Sequence, residues 1–140
     1  MGDIVDIRKP LDILKNALLD SCPSSHLNVL ENWFVSLDQR LLVAQNDVTN
    51  IAYLKSECAK EINKEIQSRR DVREISNIVS AYSYAIYELK KISGVGYEDL
   101  APDWATAFYD SAKGSSDEEI QVLWGKILAG EIAHHGKFYK

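Results

Sequence analysis

The chain has 140 residues, 46% hydrophobic and 26% charged, which is the balance of an ordinary globular protein. Its formal net charge of -5 disfavours non-specific binding to nucleic acid, because phosphate contacts need clustered lysine and arginine. No run of about 18 apolar residues is present, so no membrane-spanning helix is expected. The acidic start lacks the hydrophobic region of a secretory signal. We expect one helical domain over 1–140 in the cytoplasm, with Cys22 and Cys58 reduced.

The long central part of the sequence favours helices. Neither proline nor glycine occurs between Pro23 and Gly94, and these two residues are the main helix breakers. No alternating apolar and polar run bounded by turn residues indicates a strand. The sequence therefore predicts an all-α bundle of about five to six helices, with one or two long central helices.

The first half of the chain contains three predicted helices. The first begins at Pro10 and ends at the segment SCPSS, and the second begins near Ser25. A third begins at Val48, since the residues that follow recur at helical spacing. The apolar faces of the first two helices are given by Leu11, Leu14 and Leu18, and by Leu27, Leu30, Trp33 and Phe34.

The second half begins with a helix whose apolar stripe contains Ile75, Ile78, Val79, Tyr82, Ile86 and Leu89. It either continues the third helix as one rod or starts anew with Asp71 as cap. After a glycine-containing loop, a short helix opens at Pro102 and carries Trp104 and Phe108. Ser116 is the predicted N-cap of the last helix, because Glu119 stands at capping-box spacing from it.

The last helix carries an acidic residue within an apolar stripe. Ile120, Leu123, Trp124 and Ile127 fall on one side at about 100° per residue, and Glu131 lies in the centre of that side. We expect this side to face the core and Glu131 to form a structural ion pair with an arginine of the preceding helix. The candidate arginines are Arg69, Arg70 and Arg73. A wet helix end, a partner contact and a catalytic carboxylate remain alternatives for Glu131.

Two glycines interrupt the same helix. Gly125 and Gly130 each disfavour a helix interior by about 1 kcal/mol relative to alanine. The usual reason for such glycines is close approach of a second helix. Ala129 stands four residues after Gly125, so these two residues form a small face, and a neighbouring helix is expected to press against it.

The segment DWATAFYDSAKGSSDEEIQVLWGKILAGEI, which begins at Asp103, resembles the signature of the DUF2806 family of bacterial and phage proteins of unknown function. The similarity runs over 103–138, and its LWGKILAGEI core is specific. The preceding segment EIQSRRDVREISNIVSAY is more loosely similar. The resemblance implies no activity and no catalytic residues, but it implies a role in phage–host conflict.

No constellation for catalysis or cofactor binding is evident. His134 and His135 are adjacent, so on a helix they point about 100° apart and do not chelate a metal as a pair four residues apart would. His26 is expected to lie on the surface. We predict no catalytic residues, no metal site and no cofactor, and an enzyme is the less favoured class.

Three tyrosines are candidates for binding a partner. Tyr84 and Tyr87 lie about 120° or more from the predicted apolar stripe of their helix, and Tyr53 faces away from the stripe of its own helix. Exposed tyrosines are common in protein interfaces, because they combine an apolar ring with a polar hydroxyl.

The favoured function is a non-enzymatic helical interaction or regulatory module that binds a bacterial or phage protein, or itself. One alternative is a hydrolase or nuclease centred on Glu131 with Arg69 or Arg70. The other is a nucleic-acid binder that uses the basic residues of 60–73. Interleaved glutamates at helical pair spacing make a solvated, ion-paired face the simpler interpretation of that segment.

Overall fold

The computed structural model describes residues 7–43, 47–65, 68–91 and 96–133, and within them the backbone forms six α-helices and no β-strand. The helices are α1 (Arg8–Ser21), α2 (Ser24–Leu41), α3 (Ile51–Lys64), α4 (Arg69–Lys90), α5 (Pro102–Ala112) and α6 (Glu118–Ala133), and a 3₁₀-helix (Asp47–Thr49) precedes α3. This architecture confirms the predicted all-α class. None of these helices combines the length and the hydrophobicity needed to cross a bilayer.

Two capping side chains separate the middle helices. The side chain of Asn50 accepts a hydrogen bond from the backbone N–H of Tyr53 at the start of α3. The side chain of Ser68 does the same for Asp71 at the start of α4. Side-chain acceptors of this kind satisfy amide groups that have no partner within the helix. The third and fourth predicted helices are thus two helices, and Ser68, rather than Asp71, is the cap of α4.

Helix α4 is the centre of the bundle and contacts each of the other five α-helices. Its predicted apolar stripe is buried throughout, including Ile75, Tyr82 and Leu89. The stripe of α1, represented by Leu14 and Leu18, is buried as well. In both helices the large apolar residues lie on one face, so the helical period identifies a side that faces the core. In α4 the burial extends further, since every residue of 77–83 is buried.

Helices α4 and α6 run side by side in the same direction. Gln121 near the start of α6 donates a hydrogen bond to Asn77 of α4 at 3.3 Å, and Gly125 one turn later packs against Tyr84. A Cβ atom at Gly125 would lie 2.4 Å from the Cβ of Tyr84, so only glycine allows this spacing. Close approach was predicted at Gly125, where it occurs, and at Gly130, where a Cβ would meet nothing within 4 Å.

The turn between α5 and α6 is fixed to α4 by buried amides. Asn77 donates to the carbonyl oxygen of Lys113 at 2.8 Å and to the hydroxyl of Ser116 at 3.2 Å. The hydroxyl oxygen of Ser116 therefore accepts a hydrogen bond from α4 instead of from the start of α6, and the predicted capping box does not form. Asp117 caps α6 instead, accepting from the amides of Glu119 at 2.8 Å and Ile120 at 3.4 Å.

Most of the apolar stripe predicted to face the core from α6 faces outward instead. Of its four residues, Trp124 alone packs against the bundle, half-buried with its ring centroid 5.4 Å from that of Phe108. Ile120, Leu123 and Ile127 are 41%, 54% and 48% exposed, respectively. The side of α6 that packs on the bundle contains Gln121, Gly125, Leu128, Ala129 and Ile132, all of which are buried. Because α6 is apolar on two sides, its period does not tell which side faces the core. The smaller side faces α4, since small residues allow two helix backbones to approach closely.

Candidate functional site

A buried polar cluster lies where the beginnings of α2 and α4 meet α5. His26 is in the first turn of α2 and is completely buried, whereas the sequence predicted a surface position for it. Leu30 and Trp33 follow it by four and seven residues and are buried too. His26 therefore continues the inward face of α2, while Leu27, which was predicted to do so, is 38% exposed.

Both nitrogens of the His26 ring have partners. Nδ1 lies 2.6 Å from the hydroxyl oxygen of Tyr109 on α5. Nε2 lies 3.2 Å from Oδ1 of Asp71 and 3.3 Å from Oε1 of Glu74. The two carboxylates stand three residues apart at the start of α4, so they project from the same side of that helix. We call these four residues the His26 cluster.

The His26 cluster combines a buried end with a solvent-accessible end. Tyr109 is buried like His26, and this burial raises the pKa of its phenol well above the ordinary value, so the hydroxyl keeps its proton at neutral pH. The side chains of Asp71 and Glu74 are 14% and 20% exposed, respectively. Solvent therefore reaches the carboxylates although it does not reach the imidazole.

Negative charge is in excess in the His26 cluster. Among the described residues, no lysine or arginine forms an ion pair with Asp71 or Glu74. The hydroxyl of Ser25 donates to Asp71 at 3.4 Å, and the N-terminus of α4 adds a partial positive charge. Even with the imidazole protonated, two carboxylates face a single full positive charge.

The exposed side of α6 is the second candidate site. Ile120, Leu123 and Ile127 form a continuous row along two turns of the helix. Lys126 and Glu119, two turns apart, lie together along one edge of this row. We call these five residues the outer face of α6. A helix that is apolar on both sides usually buries the second side against another chain or segment.

The structure does not bring Glu131 together with Arg69, Arg70 or Arg73. No ion pair joins them within the described part of the chain, and the three arginines are exposed. The physical reason is the direction of the helices. Because α6 runs parallel to α4, Glu131 at its end lies beside the end of α4, far from the arginines at its beginning. Glu131 is half-buried at the edge of the outer face.

The three tyrosines predicted to bind a partner have different surroundings. Tyr53 and Tyr84 are half-buried, and Tyr87 is 37% exposed. The hydroxyl of Tyr84 donates to Glu118 at 2.6 Å, and burial together with this hydrogen bond raises the pKa of the phenol to about 12. Tyr84 thus takes part in joining α4 to α6, and Tyr87 offers the larger free surface.

The basic segment 60–73 is divided between two helices. Lys60 pairs with Glu57 at 2.7 Å, and Lys64 pairs with Glu61 at 3.2 Å, each within α3. These are the neighbouring charges that favoured an ion-paired face. His134 and His135, the remaining histidines, lie outside the described residues.

The His26 cluster was missed because no sequence spacing connects its parts. His26 is 45 residues from Asp71 and 83 residues from Tyr109, and only the packing of three helices joins them. The available signal was the position of His26, one and two turns before Leu30 and Trp33. The sequence also shows that Asp71 and Glu74 lie on one side of a helix, but it does not show that His26 is their partner.

These features define an all-α protein built around a central helix, with a buried polar cluster at one end and an outer apolar face on its last helix. The family model for DUF2806, described as a protein of unknown function, matches residues 41–140. The chain belongs to this family. The matched region includes Asp71, Glu74 and Tyr109 of the His26 cluster but not His26. Neither the curated proteins nor the solved structures contain a match to the chain.

Proposed function

We propose that the protein is a non-enzymatic helical interaction module whose outer face of α6 binds a second copy of the chain. The observation that carries this proposal is the exposure of Ile120, Leu123 and Ile127 in one row. Each side chain retains about half of its surface for a partner, so burial contributes roughly 1 kcal/mol per side chain. The cost of association offsets part of this gain, and a dimer with a micromolar dissociation constant is expected.

The charges beside the row select a second copy as the occupant. Glu119 and Lys126 lie on the same edge and are centred on nearly the same turn as the apolar row. When two such helices pair in opposite directions about a twofold axis, equivalent edges meet. Each Glu119 then approaches Lys126 of the second copy, and the contact is formed twice. The outer face is therefore complementary to itself in charge.

The alternative functions have weaker support. The proposed hydrolase centre needs Glu131 beside Arg69 or Arg70, and these residues lie at opposite ends of the α4–α6 pair. The proposed nucleic-acid surface loses part of its charge to Glu57 and Glu61. A dimeric module requires neither arrangement.

The expected setting is the cytoplasm of a bacterium, where both thiols, which are free, remain reduced. The role in phage–host conflict rests on the family resemblance alone. The genes that neighbour the gene of this protein test the proposed role. Prophage or defence genes there would support a role in phage–host conflict, and metabolic genes would oppose it. In that role, the dimer rather than the single chain would bind a bacterial or phage protein.

Light scattering coupled to size-exclusion chromatography tests the dimer. The apparent mass of the unaltered chain should rise toward twice 15.8 kDa between about 5 and about 500 μM. Leu123→Glu places a charge in the centre of the row and should keep the chain monomeric. Val35→Glu is the matched control, because Val35 is also exposed, at 47%, but lies on α2. A chain that stays monomeric throughout this range contradicts the proposal.

A further inference from the structure

We propose that His26, Asp71 and Glu74 bind a divalent transition-metal ion, and that Tyr109 positions the imidazole for it. The ligand atoms are Nε2 of His26 and one carboxylate oxygen each from Asp71 and Glu74. All three atoms lie within 4.8 Å of one another. This inference is independent of the dimer, since the His26 cluster and the outer face of α6 share no residue.

The distance from Nε2 of His26 to each carboxylate oxygen is that of neighbouring ligands around one ion. Metal–nitrogen and metal–oxygen bonds of about 2.0–2.2 Å place adjacent ligands roughly 3–3.4 Å apart in tetrahedral or octahedral geometry. The distances from Nε2 of His26 to Asp71 and Glu74, 3.2 and 3.3 Å, fall within this interval. An ion can therefore bind with only small side-chain movements.

The uncompensated negative charge of the His26 cluster also favours a bound cation. The two carboxylates converge on a nitrogen that carries at most one proton, and no lysine or arginine of the described residues pairs with either of them. Partly buried carboxylates without a full counter-charge are destabilising. A divalent cation neutralises both, with the imidazole then acting as a neutral ligand.

The contact between His26 and Tyr109 fixes the ring for this role. When Nε2 binds a metal, Nδ1 carries the proton and needs an acceptor. The hydroxyl oxygen of Tyr109, 2.6 Å away, is that acceptor. Tyr109 is therefore a positioning residue.

The donor set indicates the class of ion. One imidazole nitrogen and two carboxylate oxygens suit zinc, manganese or iron(II), whereas magnesium and calcium prefer oxygen ligands alone. The partial exposure of Asp71 and Glu74 leaves room for water at the remaining positions. A bound ion would join α2 to α4 and, through Tyr109, to α5.

Isothermal titration of the chelator-treated full chain with zinc and manganese chlorides tests the site. A His134→Ala/His135→Ala background removes the other two histidines. In that background we expect one ion per chain, weaker binding of magnesium, and a zinc-dependent rise in Tm. Glu74→Gln should weaken zinc binding at least tenfold and abolish the rise in Tm.

Glu88→Gln is the matched control. Glu88 is on the same helix, with 21% side-chain exposure against 20% for Glu74, and its partner is Lys91. This variant should bind zinc like the background chain. If circular dichroism shows that Glu74→Gln is unfolded, Asp71→Asn replaces it. Absence of binding at about 1 mM metal, or equal affinity in the Glu74→Gln and Glu88→Gln variants, overturns the proposal.

Discussion

Gly125 and Tyr84 are in such close contact that a Cβ atom at position 125 would lie 2.4 Å from the Cβ of Tyr84. It would also lie 2.9 Å from the backbone nitrogen of Ala85, which has little freedom to move. This contact sets the distance between α4 and α6, and through it the position of the outer face of α6.

Gly125→Ala should therefore destabilise the protein, although alanine is the better helix former. The added methyl group must push α6 away from α4, and overpacking of this kind costs about 1–3 kcal/mol. Urea denaturation followed by circular dichroism measures the change in the free energy of unfolding. Gly130→Ala is the control, since nothing lies near its Cβ position and stability should rise by up to about 1 kcal/mol. Equal effects of the two substitutions would contradict the packing described for α6.

Removal of the Tyr109 hydroxyl should destabilise the His26 cluster. Tyr109→Phe leaves Nδ1 of the buried His26 without its partner, which costs about 1–3 kcal/mol. Tyr87→Phe removes the same atom from an exposed ring and should change stability by less than about 0.5 kcal/mol. Thermal unfolding of the two variants compares these effects, and equal melting temperatures would show that His26 does not depend on the phenol.

Asn77 should be required for the attachment of the α5–α6 turn. Asn77→Ala removes donors to Lys113 and Ser116 as well as the acceptor for Gln121, and these groups are buried or partly buried. We expect a loss of about 1–3 kcal/mol in the free energy of unfolding. Asn63→Ala, on the exposed side of α3, should have little effect. Hydrogen exchange of the α6 amides should accelerate in Asn77→Ala alone.

Stability should fall at alkaline pH. Burial raises the pKa of Cys22 to about 11 and that of Cys58 to about 12, from an ordinary value of 9.0. Both thiols therefore lose their protons in the unfolded chain before they do so in the folded one. This contribution to stability is complete below about pH 9 and is lost as the pH rises toward 12. Denaturation midpoints in urea from pH 8 to 11 measure the loss.

Cys58→Ala should reduce that pH dependence, because Cys58 is 2% exposed and its thiolate is strongly disfavoured in the core. Its share of the slope is up to about 1.4 kcal/mol per pH unit. The substitution lowers stability at all pH values through the smaller side chain, so the slope is the informative quantity. An unchanged slope would contradict the assignment of Cys58 as a contributor.

The parts of the fold predicted from sequence are those where the large apolar residues of a helix lie on one side. The stripes of α1 and α4, with Leu14, Ile75 and Tyr82 among their residues, follow directly from the helical period. Helix α6 has two apolar sides, and the prediction chose the side with the larger side chains. The small face of Gly125 and Ala129 was predicted to meet a neighbouring helix, and it is the side that packs on α4, because close packing requires small residues.

The candidate sites depend on tertiary packing to a greater degree. The excess of negative charge around His26 exists only because α2, α4 and α5 meet there. The predicted pairing of Glu131 failed for a related reason, since the relative direction of α4 and α6 is not encoded in the spacing of either helix. Position on the inward side of α2 was the one feature of His26 that the sequence contained.

The pairing of two copies through α6 is tested most directly by exchanging the charges at its edge. Sedimentation velocity at low salt, where screening is weak, should show at least about fivefold weaker dimers for Glu119→Lys and for Lys126→Glu, because like charges then meet twice. The double variant restores opposite charges and should return the dissociation constant to within about twofold of the unaltered chain. Monomers at every concentration, or single variants that dimerise as well as the unaltered chain, would contradict the account.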